Sequence, residues 1–131
     1  NVMIALTIQG YDEDKKKERA LELIDRVGLS SHVHHKASKL SGGQKQRTVI
    51  ARALAKDCPI IVADEPTGNL DSKNGDEVMA MLRELNREGT TVIVVTHSEK
   101  EGNYADRLVR LLDGQVMVDK ANRAQQTAQV A

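Results

Sequence analysis

The sequence has almost no aromatic residues: no Trp, no Phe, and only Tyr11 and Tyr104 among 131 positions. Any core must therefore be built from Leu, Ile, Val, Ala and Met, and the stacked rings that grip single-stranded nucleic acid are wanting. Cysteine is reduced to Cys58, which excludes an intrachain disulfide and a cysteine-based zinc cluster and fits a reducing compartment. Neither sign of charge dominates. With 19 Lys plus Arg against 19 Asp plus Glu, the composition argues against a nucleic-acid partner. No run approaches the roughly 18 apolar residues of a membrane helix. The start Asn1-Val2-Met3 offers neither the basic flank nor the apolar stretch of a secretory signal, and no initiator Met. The expectation is a soluble cytosolic chain that begins inside something larger. Apolar residues at 40% and charged residues at 29% suffice for one core of ordinary domain size.

Periodicity supplies the elements. Asp12 to Val27 sets Ala20, Leu21, Ile24 and Val27 at helical spacing, with acids in the first turn and Gly28 at the stop position. Leu29 to Lys39 has no regular pattern and reads as a connection. A second helix opens at Ser41, where Ser41-Gly42-Gly43-Gln44 has the form of a capping box, and runs to about Lys56, ahead of Pro59. Ile60 to Ala63 is a continuous apolar run that suits a strand buried on both faces. Ser72 to Glu88 forms a third helix with Val78, Met79, Met81, Leu82 and Leu85 inward, closed by Gly89. Thr91 to Thr96 is a second buried strand. Leu108–Leu112 and Gln115–Val118 flank Asp113-Gly114, a hairpin-turn signal, and from Asp119 the chain turns to a polar tail. Strand, helix, strand with β-branched runs predicts an α/β unit with parallel strands.

Several residues in this frame carry chemistry. Two glycines at a helix start let an anion approach backbone N–H groups, and the helix dipole and Ser41 hydroxyl favour negative charge there. Ser41 to Gln44 reads equally as a phosphate site or as a plainly capped helix. Asp64 and Glu65 stand at the carboxyl end of the first buried strand, the rim where α/β sheets bind ligands. Either Asp64 holds Mg²⁺ through a coordinated water and Glu65 orients or deprotonates the attacking water in phosphoryl transfer, or both are solvated carboxylates that open a loop. His97, at the same end of the second strand, reads either as a donor of a hydrogen bond to a terminal phosphate or, as a lone His there more often is, as a strand-end residue. Asp71 caps the third helix whatever else it does.

In order, L-S-G-G-Q (40–44), I-I-V-A-D-E-P-T (60–67), G-N-L-D (68–71) and V-V-T-H (94–97) resemble the nucleotide-binding domain of an ATP-binding-cassette (ABC) ATPase. The resemblance covers Asn1 to about Lys120. It implies that Ser41, Gly42, Gly43 and Gln44 form the signature sequence, and that Asp64 is the Walker B aspartate. Glu65 would be the catalytic glutamate, Asp71 part of the D-loop and His97 the switch histidine. Gly68 to Asp71, with Ala105-Asp106-Arg107, is similar to the lipoprotein-releasing and macrolide-exporting branch. Ala37 departs from the pattern, where relatives often carry Pro. The implied cofactors are ATP and Mg²⁺. The implied partners are a second nucleotide-binding domain and transmembrane permease subunits, at the cytoplasmic face of the cell membrane, with no nucleic acid.

The larger departure is that a Walker A loop, G-x-x-x-x-G-K-[ST], is missing, since no two glycines lie five positions apart. The Q-loop is missing too. The implied fold is therefore an α/β, P-loop NTPase-like partial domain. It has a helical subdomain at 1–56, the back half of the parallel-sheet core at 57–120 and a polar tail at 121–131. In the family the Walker A strand lies between the strands at 91–96 and 108–112, so two unpaired sheet edges are expected. ATP hydrolysis then belongs to the parent protein, with the 131-residue chain inactive alone. Two alternatives stay open: a binding or dimerisation module lacking its own Walker A, and a non-transport ABC ATPase. Elsewhere the plain readings hold: His32 to His35 as a solvated loop, Lys15 to Lys17 as a solvated face beside Asp12 to Asp14, and Cys58 as a packing residue.

Overall fold

The computed structural model describes residues 1–122. α2 covers Glu13–Arg26, with Glu13 and Asp14 complementing the dipole in its first turn. It ends in a Schellman motif: Gly28 turns at φ 67, and the Gly28 and Leu29 N–H groups donate to the Asp25 and Ile24 carbonyls at 2.8 and 3.0 Å. Ala20, Leu23 and Val27 form its buried stripe. Leu21, expected inward, is 43% exposed because it lies one position round from Ala20, and Leu23 takes its place. Lys16 is buried with its ammonium paired to Glu13, so the Lys15–Lys17 run is not a wholly solvated face. A helix unforeseen in the sequence, α1 (Val2–Ile8), packs on α2 through Val2, Ala5 and Leu6.

After 3-10 turns at Ser30–His32 and Ala37–Lys39, α3 spans Gly42–Leu54. β1 (Ile60–Asp64) leads through a turn to α4 (Ser72–Arg87), and β2 (Thr91–Val95) pairs parallel with β1, Ile60 opposite Thr91 and Asp64 opposite Val95. α4 buries Val78, Met79, Leu82 and Leu85, each burial stabilising by about 1.5–3 kcal/mol. Met81 is only half-buried. The expectation that both strands are buried on both faces fails: Ile61 is buried, but Val62 is 66% exposed and Val95 52%. The physical reason is layering, since α4 packs against β2 and no element of residues 1–95 covers the exposed side chains on the other face. Cys58 is exposed, so it is not a packing residue.

The chain divides into two compact units, residues 1–95 and residues from 96 onward. In the second, Ser98 caps the short helix α5 (Glu99–Gly102) and β3 (Arg107–Leu112) pairs antiparallel with β4 (Gln115–Ala121). Asp113 and Gly114 both have positive φ, 49 and 76, as a primed hairpin turn needs. β4 continues past the expected Val118 to Ala121, because Arg107 holds the Asp119 carboxylate with two hydrogen bonds of 2.7 and 2.8 Å. Among the described residues the strands form two separate two-stranded sheets, β1–β2 and β3–β4. Most of the expected polar tail, from residue 123, lies outside the described residues.

Candidate functional site

The start of α3 is built by reciprocal hydrogen bonds. Ser41 Oγ accepts from the Gln44 backbone N–H at 3.3 Å, and Gln44 Oε1 accepts from the Ser41 backbone N–H at 2.9 Å. The first-turn N–H groups of Gly42 and Gly43 have no partner within the helix. What the glycines permit is a close approach. A β-carbon on Gly43 would stand 2.6 Å from Asn74 Oδ1 and 3.2 Å from Asn74 Cβ, and one on Gly42 would meet Leu70 Cδ2 at 3.1 Å. The α3 start therefore lies directly on the segment that opens α4. Further along the same helices, Arg47 of α3 forms an ion pair with Glu77 of α4.

Asp71 organises that segment. Its Oδ1 accepts from the Asn74 backbone N–H at 3.0 Å and its Oδ2 from the Asn74 side-chain amide at 2.6 Å. These bonds, the backbone one first, hold the exposed Asp71 carboxyl below the ordinary carboxylate range. Asn74 thus faces both ways, bonding Asp71 and packing on Gly43. The sequence carried a signal for it, an Asp followed three residues later by an Asn at a helix start, but nothing that pointed to Gly43.

Asp64 ends β1, and Glu65 follows with φ 44, a left-handed conformation that costs a residue with a β-carbon about 1–3 kcal/mol. Three neighbours fix it. The Glu65 N–H donates to the Val95 carbonyl at 2.8 Å, its carbonyl accepts from Gly68 N–H at 3.1 Å, and Pro66, which disfavours right-handed helical backbone just before it, is buried. Both carboxylate residues are exposed at the carboxyl end of the parallel pair. Among the described residues no hydrogen bond or ion pair engages the Asp64 side chain, so its hard oxygens are open to a cation. No cluster of three or more His, Cys, Asp or Glu able to hold a metal occurs among the described residues. A single carboxylate suits Mg²⁺, which keeps waters and takes further ligands from phosphates.

The structure thus brings Ser41, Gly42, Gly43 and Gln44 together with Asp71, and sets Asp64 and Glu65 at the strand end that leads by a short turn to the same segment. His97 belongs to the second unit, exposed just before Ser98. His32, taken in the sequence as part of a solvated loop, is half-buried with its ring bonded to Gln44, while His34 and His35 are exposed.

Comparison with known proteins converges on one family. A family model described as ABC transporter matches residues 2–68. The macrolide export ATP-binding/permease protein MacB of Shewanella oneidensis is 45% identical over 128 residues, 98% of this chain and 20% of that protein. The probable syringafactin export ATP-binding/permease protein SyfD of Pseudomonas syringae pv. syringae is 49% identical over 122 residues, 93% of this chain and 19% of that protein. Among solved structures, the dimeric bacterial ABC transporter cassette MJ0796 superposes with a TM-score of 0.78 at 42% identity, covering 93% of this chain and 55% of that one. A post-hydrolysis state of MJ0796 bound to ADP and Pi gives 0.72 at 43% identity, over 86% of this chain and 50% of that one. The chain spans about a fifth of the curated relatives' length and about half of these cassettes.

Proposed function

Since this chain belongs to the ABC transporter family, we propose that it contributes the signature, Walker B, D-loop and switch residues of a cassette that hydrolyses ATP to drive export or extraction of a substrate at a membrane. The observation that carries this reading is the corner where the glycines of Ser41–Gln44 lie against Leu70 and Asn74, the residue that fixes Asp71. It joins a capped helix start with free N–H groups to an acidic loop, the arrangement a shared phosphate site requires.

In this reading Ser41, Gly42, Gly43 and Gln44 receive the terminal phosphate of a nucleotide held by a second nucleotide-binding domain. Asp64 would hold Mg²⁺, which when bound would neutralise charge on the phosphates. Glu65 accepts a proton from the water that attacks the terminal phosphorus as the bond to ADP breaks, and the strained backbone at Glu65 fixes where its side chain starts. His97 donates a hydrogen bond to the terminal phosphate, and Asp71 lines the partner domain's nucleotide. The name of MacB as an ATP-binding/permease protein supports permease segments as further partners, and on this reading the cassette lies on the cytoplasmic side. No helix among the described residues is long and apolar enough to cross a membrane. The test is ATP hydrolysis by the full-length protein: Glu65→Gln lowers turnover by about 10²–10⁴-fold, the usual contribution of a general base. Undiminished turnover in that variant overturns the assignment.

A further inference from the structure

We propose that His32 is a positioning residue for the signature glutamine, fixing the Gln44 side chain and through it the capped start of α3. This role rests on reading Ser41–Gln44 as the phosphate-binding segment, where one donor has no choice of direction. The Ser41 backbone N–H can only donate, so the Gln44 side-chain atom 2.9 Å away is its oxygen. The other end of the amide is then the NH₂ group, and it faces His32 Nε2 at 2.9 Å. An amide NH₂ can only donate. His32 Nε2 must therefore carry the lone pair, which puts the ring proton on Nδ1, where Ser31 Oγ stands 2.8 Å away to accept it.

The relay Ser31, His32, Gln44, Ser41 is thus polarised in one direction, and each member determines the next. It is anchored at its far end. The His32 backbone N–H donates to the carbonyl of buried Leu29 at 2.8 Å, in the turn that follows the Gly28 stop of α2, and Ser30 Oγ bonds Asp25 of α2. The His35 ring, tilted against His32 with centroids 4.9 Å apart, limits rotation of the imidazole from the side. Without His32 the capping bond alone would hold the Gln44 amide, whose nitrogen would then turn to solvent. The signature segment would keep its helix start but lose the fixed direction of its glutamine. Because the relay acts on the surface offered to a second domain's nucleotide, it bears on turnover and not on the affinity of the resting protein for ATP.

The experiment measures kcat and nucleotide affinity of the full-length protein with His32→Leu, His32→Asn, His32→Gln, Gln44→Ala and the double variant His32→Leu/Gln44→Ala. Leu cannot accept, Asn carries an acceptor too near the backbone, and Gln places an oxygen about where Nε2 stands. The expected result is a kcat about fivefold lower for Leu and for Asn, the usual weight of one such bond, with ATP affinity unchanged. His32→Gln restores kcat, and the double variant is no slower than Gln44→Ala alone. Wild-type kcat in the Leu and Asn variants overturns the proposal, as does an equal loss in the Gln variant or losses that multiply in the double variant. Full kcat in Gln44→Ala overturns instead the underlying reading of the signature segment, so the two failures are told apart.

Discussion

The α3–α4 corner and the β1–β2 sheet belong to one unit of the chain and depend on neighbours in opposite ways. At the corner, glycine allows two helix starts to touch, and side-chain caps from Ser41, Gln44, Asp71 and Asn74 close the contact within a few residues. In the sheet, β-branched residues that could fill a core stand in the open: Val62 and Val95 are 66% and 52% exposed while Val78 of α4 is fully buried. Polar locking of a site is a short-range matter, satisfied by donors and acceptors on adjacent turns. Apolar burial of a strand needs further layers, which this unit provides on one face only.

The strongest way to break the corner is to fill it. Gly43→Ala places a methyl 2.6 Å from Asn74 Oδ1, and Asn74 cannot turn aside without releasing Asp71. Alanine gains at most about 1 kcal/mol of helix propensity. Overpacking costs about 1–3 kcal/mol, so the net change is a loss. Thermal unfolding should show a clear fall in Tm for Gly43→Ala and a milder one for Gly42→Ala, where only a Leu70 methyl has to move. Equal stability of Gly43→Ala and wild type would mean that the two helix starts are not in contact.

A smaller effect comes from the cap itself. The hydrogen bonds from Asn74 depress the Asp71 pKa in the folded chain, so the folded state binds a proton less readily than the unfolded one. The contribution is then present above the unfolded value and is lost as pH falls through the folded one. Asp71→Ala should lower Tm at neutral pH by less than Gly43→Ala does. The gap between Asp71→Ala and wild type should close on acidification below the ordinary carboxylate range. A gap that persists in acid would show that the loss is one of packing and not of the charged cap.

The same division governs what could be read from the sequence. The capping box at Ser41 and Gln44, the Asp71 cap and the helix stops at Gly28 and Gly89 were legible because both partners of each bond lie within a turn or so. The turn at Asp113-Gly114 was legible because the backbone it needs selects those residues. What escaped were pairings set by tertiary approach: Asn74 on Gly43, His32 on Gln44, α1 on α2. The strained backbone of Glu65 also escaped, since it depends on Val95, Pro66 and Gly68 acting together. The order of motifs identified the family, but Ile60 to Ala63 read as buried on both faces because a β-branched run reports what a strand can pack against, not what lies there.

The exposed side chain of Val62 allows the smallest and most discriminating test. Val62→Thr keeps shape and β-propensity while adding a hydroxyl to a side chain that is 66% exposed. In the 131-residue chain the change should move stability by no more than about 0.5 kcal/mol, the range of surface substitutions. If a longer protein covers this face with the further layers that its β-branched residues can pack against, the same hydroxyl becomes buried without a partner and costs about 1–3 kcal/mol there. Comparing the two unfolding shifts measures the covering directly. A shift of equal small size in both would mean that the face is solvated in the longer protein as well, and that the contrast between the corner and the sheet is a permanent feature of the fold.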